Sequence, residues 1–184
     1  MSDIKSYSVG YGDMFYVDHA NGTFTLIDCC LREGSEDPIL DEIEQLEAGK
    51  GITRFISTHP DLDHILGLTA LDDRTRIVNF YCVENEATKA DETDDFTHYC
   101  GLRGSKKAFY LYAGCKRKWL NERDDDRESS GFEILWPKLS NPDYQAALEA
   151  AKDGDSANDI CPIIKYSLKH GASACGWATS RRTS

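Results

Sequence analysis

Apolar and polar positions change their spacing several times along the chain, and each change marks an expected element. Residues 4–17 carry apolar and β-prone side chains on both sides of Gly10-Tyr11-Gly12-Asp13, which predicts two strands hinged at that turn. Asn21-Gly22 is a favoured hairpin dipeptide, and Phe24-Thr25-Leu26-Ile27-Asp28-Cys29 after it predicts a third strand. The period then changes. Ile39, Leu40, Ile43 and Leu46 recur every three or four residues, with acidic residues on the other face and Pro38 suited to a first turn. This predicts an amphipathic helix over 37–46, closed by Gly49 and Gly51. Residues 52–57 read as the next strand, so strand, helix and strand make a βαβ unit of an α/β sheet.

Beyond it, Gly67-Leu68-Thr69-Ala70-Leu71 predicts a short helix and residues 76–83 a strand. The polar, acidic stretch 84–107 holds one helical segment near 94–102. Strands are expected over 109–112 and over 132–137, the latter stopped by Pro137, and a helix is expected over 143–152. Residues 122–130 are charged and loop-like, and the end of the chain, 174–184, is neither apolar nor alternating. No internal repeat or low-complexity tract is present.

With 184 residues, the chain is expected to form a single domain over 1–184 with one core. The net charge of −11 argues against a broad electrostatic grip on nucleic-acid backbone, although Lys106 to Lys118 is a basic island. Lys116-Arg117-Lys118 could meet phosphates or form a solvated face. No apolar run approaches the roughly 20 residues of a membrane span, and Met1-Ser2-Asp3-Ile4-Lys5 is not a signal peptide. Seven cysteines without regular spacing suggest reduced thiols and a cytoplasmic location; Cys29-Cys30 is adjacent, which weakens a zinc-knuckle reading.

The chemistry concentrates after the strand at 52–57. In Ser57-Thr58-His59-Pro60-Asp61-Leu62-Asp63-His64, two histidines and two carboxylates fall within six positions. Imidazole nitrogens and carboxylate oxygens are ligands for zinc or manganese, and a tight loop can turn several towards one point. Read alone, the same residues could instead start a helix, with Asp61 and Asp63 capping free amides and the histidines incidental. The Gly-x-Gly at 10–12 lacks the third glycine and following helix of a nucleotide loop, and by itself only permits a tight turn.

The motif resembles the signature of metallo-β-lactamase-fold hydrolases, in which His-x-His-x-Asp-His follows a strand. Asp61 stands where most members carry the second His. That variant, followed by Ile65-Leu66-Gly67-Leu68, is most similar to the metallohydrolase domain attached to DNA-uptake competence proteins. Val9-Gly10-Tyr11-Gly12-Asp13, a hairpin, and Leu26-Ile27-Asp28-Cys29 resemble the opening of the same family, where the equivalents of Gly12, Asp13 and Asp28 border the metal pocket. With these matches and the preceding strand, the ligand reading prevails over the capping one.

The resemblance implies an αββα sandwich and a dinuclear site of two divalent ions, zinc first. Manganese is the other candidate, because Asp61 makes the site richer in oxygen. His59 and Asp61 would hold one ion, Asp63 and His64 the other. Asp63 would also orient a metal-bound hydroxide and later give a proton to the leaving group, on phosphodiester or nucleic-acid-like substrates. A hydrolase of small esters, thioesters or lactams, and an inactive truncated product or binding module, stay open as alternatives. No motif in the sequence names a protein partner. The family's third-motif His has no motif-supported counterpart; His98 is an additional candidate ligand by its place along the chain alone, while His19 and His170 read as structural or solvated.

Asn158-Asp159-Ile160-Cys161-Pro162 and the strand after it resemble a later family element, beyond which members reach a Gly-Asp whose Asp bridges the metals. The sandwich is therefore expected to be incomplete at the C-terminus, with residues 175–184 out of frame. From the last base of the Ala174 codon, a shifted frame can read Met-Trp-Met-Gly-Asp-Leu-Glu-Thr-Asp-Phe, and the gene's nucleotides test that expectation.

Overall fold

A computed structural model of the chain describes residues 2–123, 128–167 and 173–176. The β-prone residues flanking the glycine turn give β1 (Asp3–Ser6), which pairs antiparallel with β2 (Phe15–Asp18), and β2 pairs in turn with β3 (Thr23–Ile27). The third strand was expected to run through Cys29. It breaks at Asp28, whose φ of 57° lies in the left-handed region and cannot continue a pleated ladder. A two-residue strand, β4 (Cys29–Cys30), follows and lies parallel to Ile65 and Leu66, with Leu31 N donating to Leu66 O at 2.8 Å.

The amphipathic helix forms as α1 (Glu36–Glu47), burying Leu40 and Ile43, and leads to β5 (Ile52–Ile56). β5 lies parallel to β3, with Leu26 beside Phe55 and Ile27 beside Ile56, so the expected βαβ unit is present. Then come α2 (Leu62–Ile65), α3 (Leu68–Thr75), β6 (Phe80–Cys82), α4 (Asp94–Arg103) and β7 (Ala108–Tyr110). The strand expected over 76–83 shrinks to three residues. Arg76 closes α3 in a left-handed conformation, and Ile77 N is taken by the Asp72 side chain. The six-stranded sheet has the order β1-β2-β3-β5-β6-β7.

This sheet belongs to the first of two compact units, Met1–Cys82 with Asp91–Phe109. Every residue of β3 is buried, which is the pattern of a central strand enclosed on both faces. One face is aromatic: Tyr16 meets Phe24 at 5.5 Å, Phe55 stacks on Phe80 at 5.8 Å, and Phe80 meets Tyr99 of α4 at 5.7 Å. The other face holds an unexpected cation. Arg54 is buried beside Thr25, whose hydroxyl accepts from Nη1 at 3.1 Å and lies 2.8 Å from His19 Nε2. Burial lowers the affinity of Arg54 for its proton, and Tyr81 partly restores it.

The second unit comprises Val83–Ala90 and the described residues from Tyr110 on. It contains β8 (Phe132–Trp136), α5 (Pro142–Lys152), a 3-10 turn (Asn158–Ile160), β9 (Ile163–Ser167) and β10 (Ser173–Gly176). The three strands form an antiparallel sheet in the order β10-β9-β8. Asn141 caps α5 by accepting from Asp143 N and Tyr144 N, and Tyr144, Ala151, Ala157 and Ile160 pack with Val83 and Ala87. β10 forms without apolar alternation because backbone pairing with β9, from Ser173 beside Ser167 to Gly176 beside Ile164, suffices. His170, Leu168, residues 124–127 of the charged run and the tail from Trp177 lie outside the described residues. None of the seven cysteines is in a disulfide. Among the described residues no helix is long and apolar enough to cross a membrane. Five α-helices and two sheets among the described residues place the chain in the α/β class.

Candidate metal centre

Three chain segments of the first unit meet where β3 and β5 end. Asp28 N donates to Ile56 O at 2.9 Å and Ser57 N to Tyr81 O at 2.8 Å, so the chain leaves the sheet at a fixed point. His59 follows directly. Asp61 precedes α2, whose single turn carries Asp63 and His64.

Asp28 ties these residues together. Its Oδ1 accepts from Thr58 N at 2.7 Å; its Oδ2 accepts from Thr58 Oγ1 at 2.7 Å and lies 2.8 Å from His64 Nδ1. Thr58 Oγ1 is also 3.0 Å from His59 Nδ1. A carboxylate only accepts, so the hydroxyl proton of Thr58 points to Asp28 and its lone pairs face His59. In their neutral forms both histidines therefore carry the ring proton on Nδ1 and the lone pair on Nε2. Metal-bound histidines are oriented in this way, with the second ring nitrogen held by a carboxylate or hydroxyl.

The Nε2 atoms have carboxylates near them. His59 Nε2 lies 3.6 Å from Asp61 Oδ2, His64 Nε2 lies 3.8 Å from Asp63 Oδ2, and the two ring centroids are 4.0 Å apart. Burial pushes the His59 ring to a lower pKa, His64 adds to that, and the surrounding carboxylates only partly offset it. Burial acts in the same direction on His64, but the hydrogen bond and charge of Asp28, with Asp63 and Asp13, outweigh it and raise the pKa. His59 is thus favoured in its neutral form, whereas these carboxylates favour the protonated form of His64.

The glycine turn seals one side. Asp13 N donates to Asp63 O at 3.2 Å, and a Cβ on Gly12 would come within 2.3 Å of that same carbonyl oxygen. Only glycine allows this approach, at a φ of 115°. The turn is itself clamped: Arg32 Nε donates to Val9 O at 2.9 Å, Arg32 Nη2 to Tyr11 O at 2.6 Å, and Cys30 Sγ to Tyr11 O at 3.3 Å.

His59, Asp61, Asp63, His64, Asp28, Gly12 and Asp13 therefore gather at one place, whereas His98 is engaged elsewhere. His98 lies on α4 with Nε2 2.8 Å from Asp72 Oδ2, a carboxylate that Lys107 also approaches at 3.8 Å. His19 is buried against the Thr25 hydroxyl. Among the described residues no three His, Cys, Asp or Glu side chains converge as a ready-made metal cage; the donors stand as two His–Asp pairs. Their chemistry, two imidazoles beside two carboxylates and held from behind by Asp28 and Thr58, fits a divalent ion. Sequence reasoning missed the linking role of Thr58 and the clamp of Cys30 and Arg32. Thr58 lay inside the motif, between strand and first histidine, and its hydroxyl was the available signal.

The metallo-beta-lactamase superfamily model matches residues 7–141, and the chain belongs to that superfamily. A search of curated proteins gave no match.

Proposed function

We propose that the chain is a metal-dependent hydrolase with a dinuclear site at His59, Asp61, Asp63 and His64, acting on phosphodiester or nucleic-acid-like substrates. The observation that carries the reading is the Asp28–Thr58 network, which holds both Nδ1 atoms and leaves both Nε2 atoms to coordinate. Superfamily membership supports metal-dependent hydrolysis; the competence-type form of the motif, with Asp61 in second place, supports the phosphodiester substrate. Zinc is the first candidate metal and manganese the second, given the oxygen contributed by Asp61.

In this reading His59 and Asp61 would hold one ion and Asp63 and His64 the other. Bound there, the ions would supply Lewis acidity and lower the pKa of water towards neutrality. Asp28 fixes the tautomer and plane of His64, and through Thr58 those of His59. Asp63, the more exposed of the two loop carboxylates, orients the attacking water and returns a proton to the leaving oxygen. Gly12 and Asp13 hold the backbone of Asp63 in place. Seven cysteines outside any disulfide suit a reducing compartment, the cytoplasm.

The test loads the protein with zinc or manganese, measures bound metal by mass spectrometry, and follows hydrolysis of bis(p-nitrophenyl) phosphate. Asp63→Asn should lower turnover by about 100-fold or more, in line with general acid–base contributions. Unchanged turnover in that variant, or a wild-type chain that retains no metal, overturns the reading. Faster hydrolysis of a thioester or lactam would move the substrate assignment.

A further inference from the structure

Two large apolar side chains stand exposed beside the candidate centre. Tyr11 is 71% exposed and Leu62 is 51% exposed. Each immediately precedes one partner of the closest approach between the two loops, because Tyr11 adjoins Gly12, Leu62 adjoins Asp63, and Gly12 lies against Asp63 O. Tyr11 belongs to a turn whose backbone cannot wander. Gly10 and Gly12 hold left-handed conformations on either side of it, and its carbonyl accepts from both Arg32 Nη2 and Cys30 Sγ. An exposed phenol on a fixed backbone offers contact area at small entropic cost.

The charges nearby limit what such a ring can receive. Asp13, Asp61 and Asp63 surround the histidines, and the chain carries a net charge of −11. A long polyanion gripped along its phosphates needs a basic track, which this setting opposes. A short substrate can instead place one phosphodiester at the ions and gain the rest of its affinity from an apolar, planar group.

We infer that Tyr11, on the turn that closes on Asp63, is a stacking platform that selects substrates bearing a nucleobase next to the scissile phosphodiester. The inference rests on the metal-hydrolase reading for its catalytic half, while the platform itself is a binding surface. Base–aromatic stacking carries about 1–3 kcal/mol per base, which corresponds to about 5- to 150-fold in affinity.

The test compares thymidine 5′-(p-nitrophenyl phosphate) with methyl p-nitrophenyl phosphate, two diesters with the same leaving group. The wild-type, metal-loaded protein should favour the nucleoside diester by about tenfold in kcat/KM. In Tyr11→Ala that ratio should fall to near one, and in Tyr11→Phe it should persist. An unchanged ratio in Tyr11→Ala overturns the platform. Should the wild type hydrolyse neither diester, the hydrolase reading fails on its own, and the platform is decided by binding. Saturation-transfer NMR with thymidine 5′-monophosphate should then give a signal that Tyr11→Ala abolishes and Tyr11→Phe keeps; equal signals in all three proteins overturn it.

Discussion

Asp28 Oδ2 lies 2.8 Å from His64 Nδ1, and the same carboxylate takes both the amide and the hydroxyl of Thr58. Asp28 does this from a left-handed backbone, a conformation that costs a non-glycine residue about 1–2 kcal/mol and persists where surrounding bonds dictate it. Asp28→Asn keeps the shape and removes the charge that orients His64. Zinc affinity, read by competition with a chromophoric chelator, should fall by about 10- to 100-fold, the usual effect of losing an outer-shell carboxylate. An affinity equal to wild type would mean that Asp28 serves the fold alone.

Two glycines separate steric from conformational cost. Gly12 has a φ of 115°, and a Cβ there would meet Asp63 O at 2.3 Å and Cys30 Sγ at 2.7 Å. Gly22 has a φ of 74° with nothing within 4 Å. Gly12→Ala should lose about 3–4 kcal/mol in urea denaturation and Gly22→Ala only about 1–2 kcal/mol, because overpacking adds to the left-handed penalty in the first alone. Equal losses would show that the loops separate easily.

Glu47 ends α1 with Oε2 buried and with no hydrogen-bond partner among the described residues. Burial, and then the charge of Glu44, raise its carboxyl from the usual 4.5 to about 7. The unfolded chain releases this proton near 4.5 and the folded chain near 7, so the folded state binds one more proton between those values. The contribution of protonated Glu47 is fully present below about pH 4.5 and is lost as pH rises through 7. Glu47→Gln should therefore gain about 1–2 kcal/mol over wild type at pH 8, after allowance for solvent screening, and match it near pH 4.5. Urea denaturation at both pH values reads the difference; a gap independent of pH refutes the linkage.

Asp95 of α4 accepts from Gly67 N at 2.7 Å and Thr69 N at 2.9 Å, where α3 begins behind the metal loop. Asp95→Ala strips both amides of their acceptor and should cost about 1–2 kcal/mol, the scale of a lost helix cap. Asp95→Asn should recover part of this, since one carbonyl oxygen remains. Thermal denaturation checks the order wild type, Asn, Ala.

Much of the first unit was legible because its signals are local. The Ile39–Leu46 period, the turn at 10–13 and the strand into His59 depend on nearest neighbours, and each produced its element. Asp28 was harder to read. It sits in an apolar run that reads as continuous strand, and its left-handed break goes with bonds to Thr58 and His64, 30 and 36 residues away. Arg54 looked like an ordinary strand residue, and its burial beside Thr25 follows from register, which the sequence does not display. β10 is stabilised by backbone pairing and carries no side-chain period to find. At the loop, the motif named four side chains that the structure brings together, but the partner of His98 is set by the packing of α4 on α3, a long-range matter.

The bond from Asp13 N to Asp63 O has a kinetic meaning as well. It fastens the β1–β2 turn, near the start of the chain, to a loop fifty residues later, so neither can open without disturbing the other. Amide protons around the turn should then exchange with solvent at rates governed by occupancy of the distant donors, slowing together when metal is added. The N-terminal hairpin would act as the latch of the centre, and its exchange rate as a gauge of how tightly the centre is held.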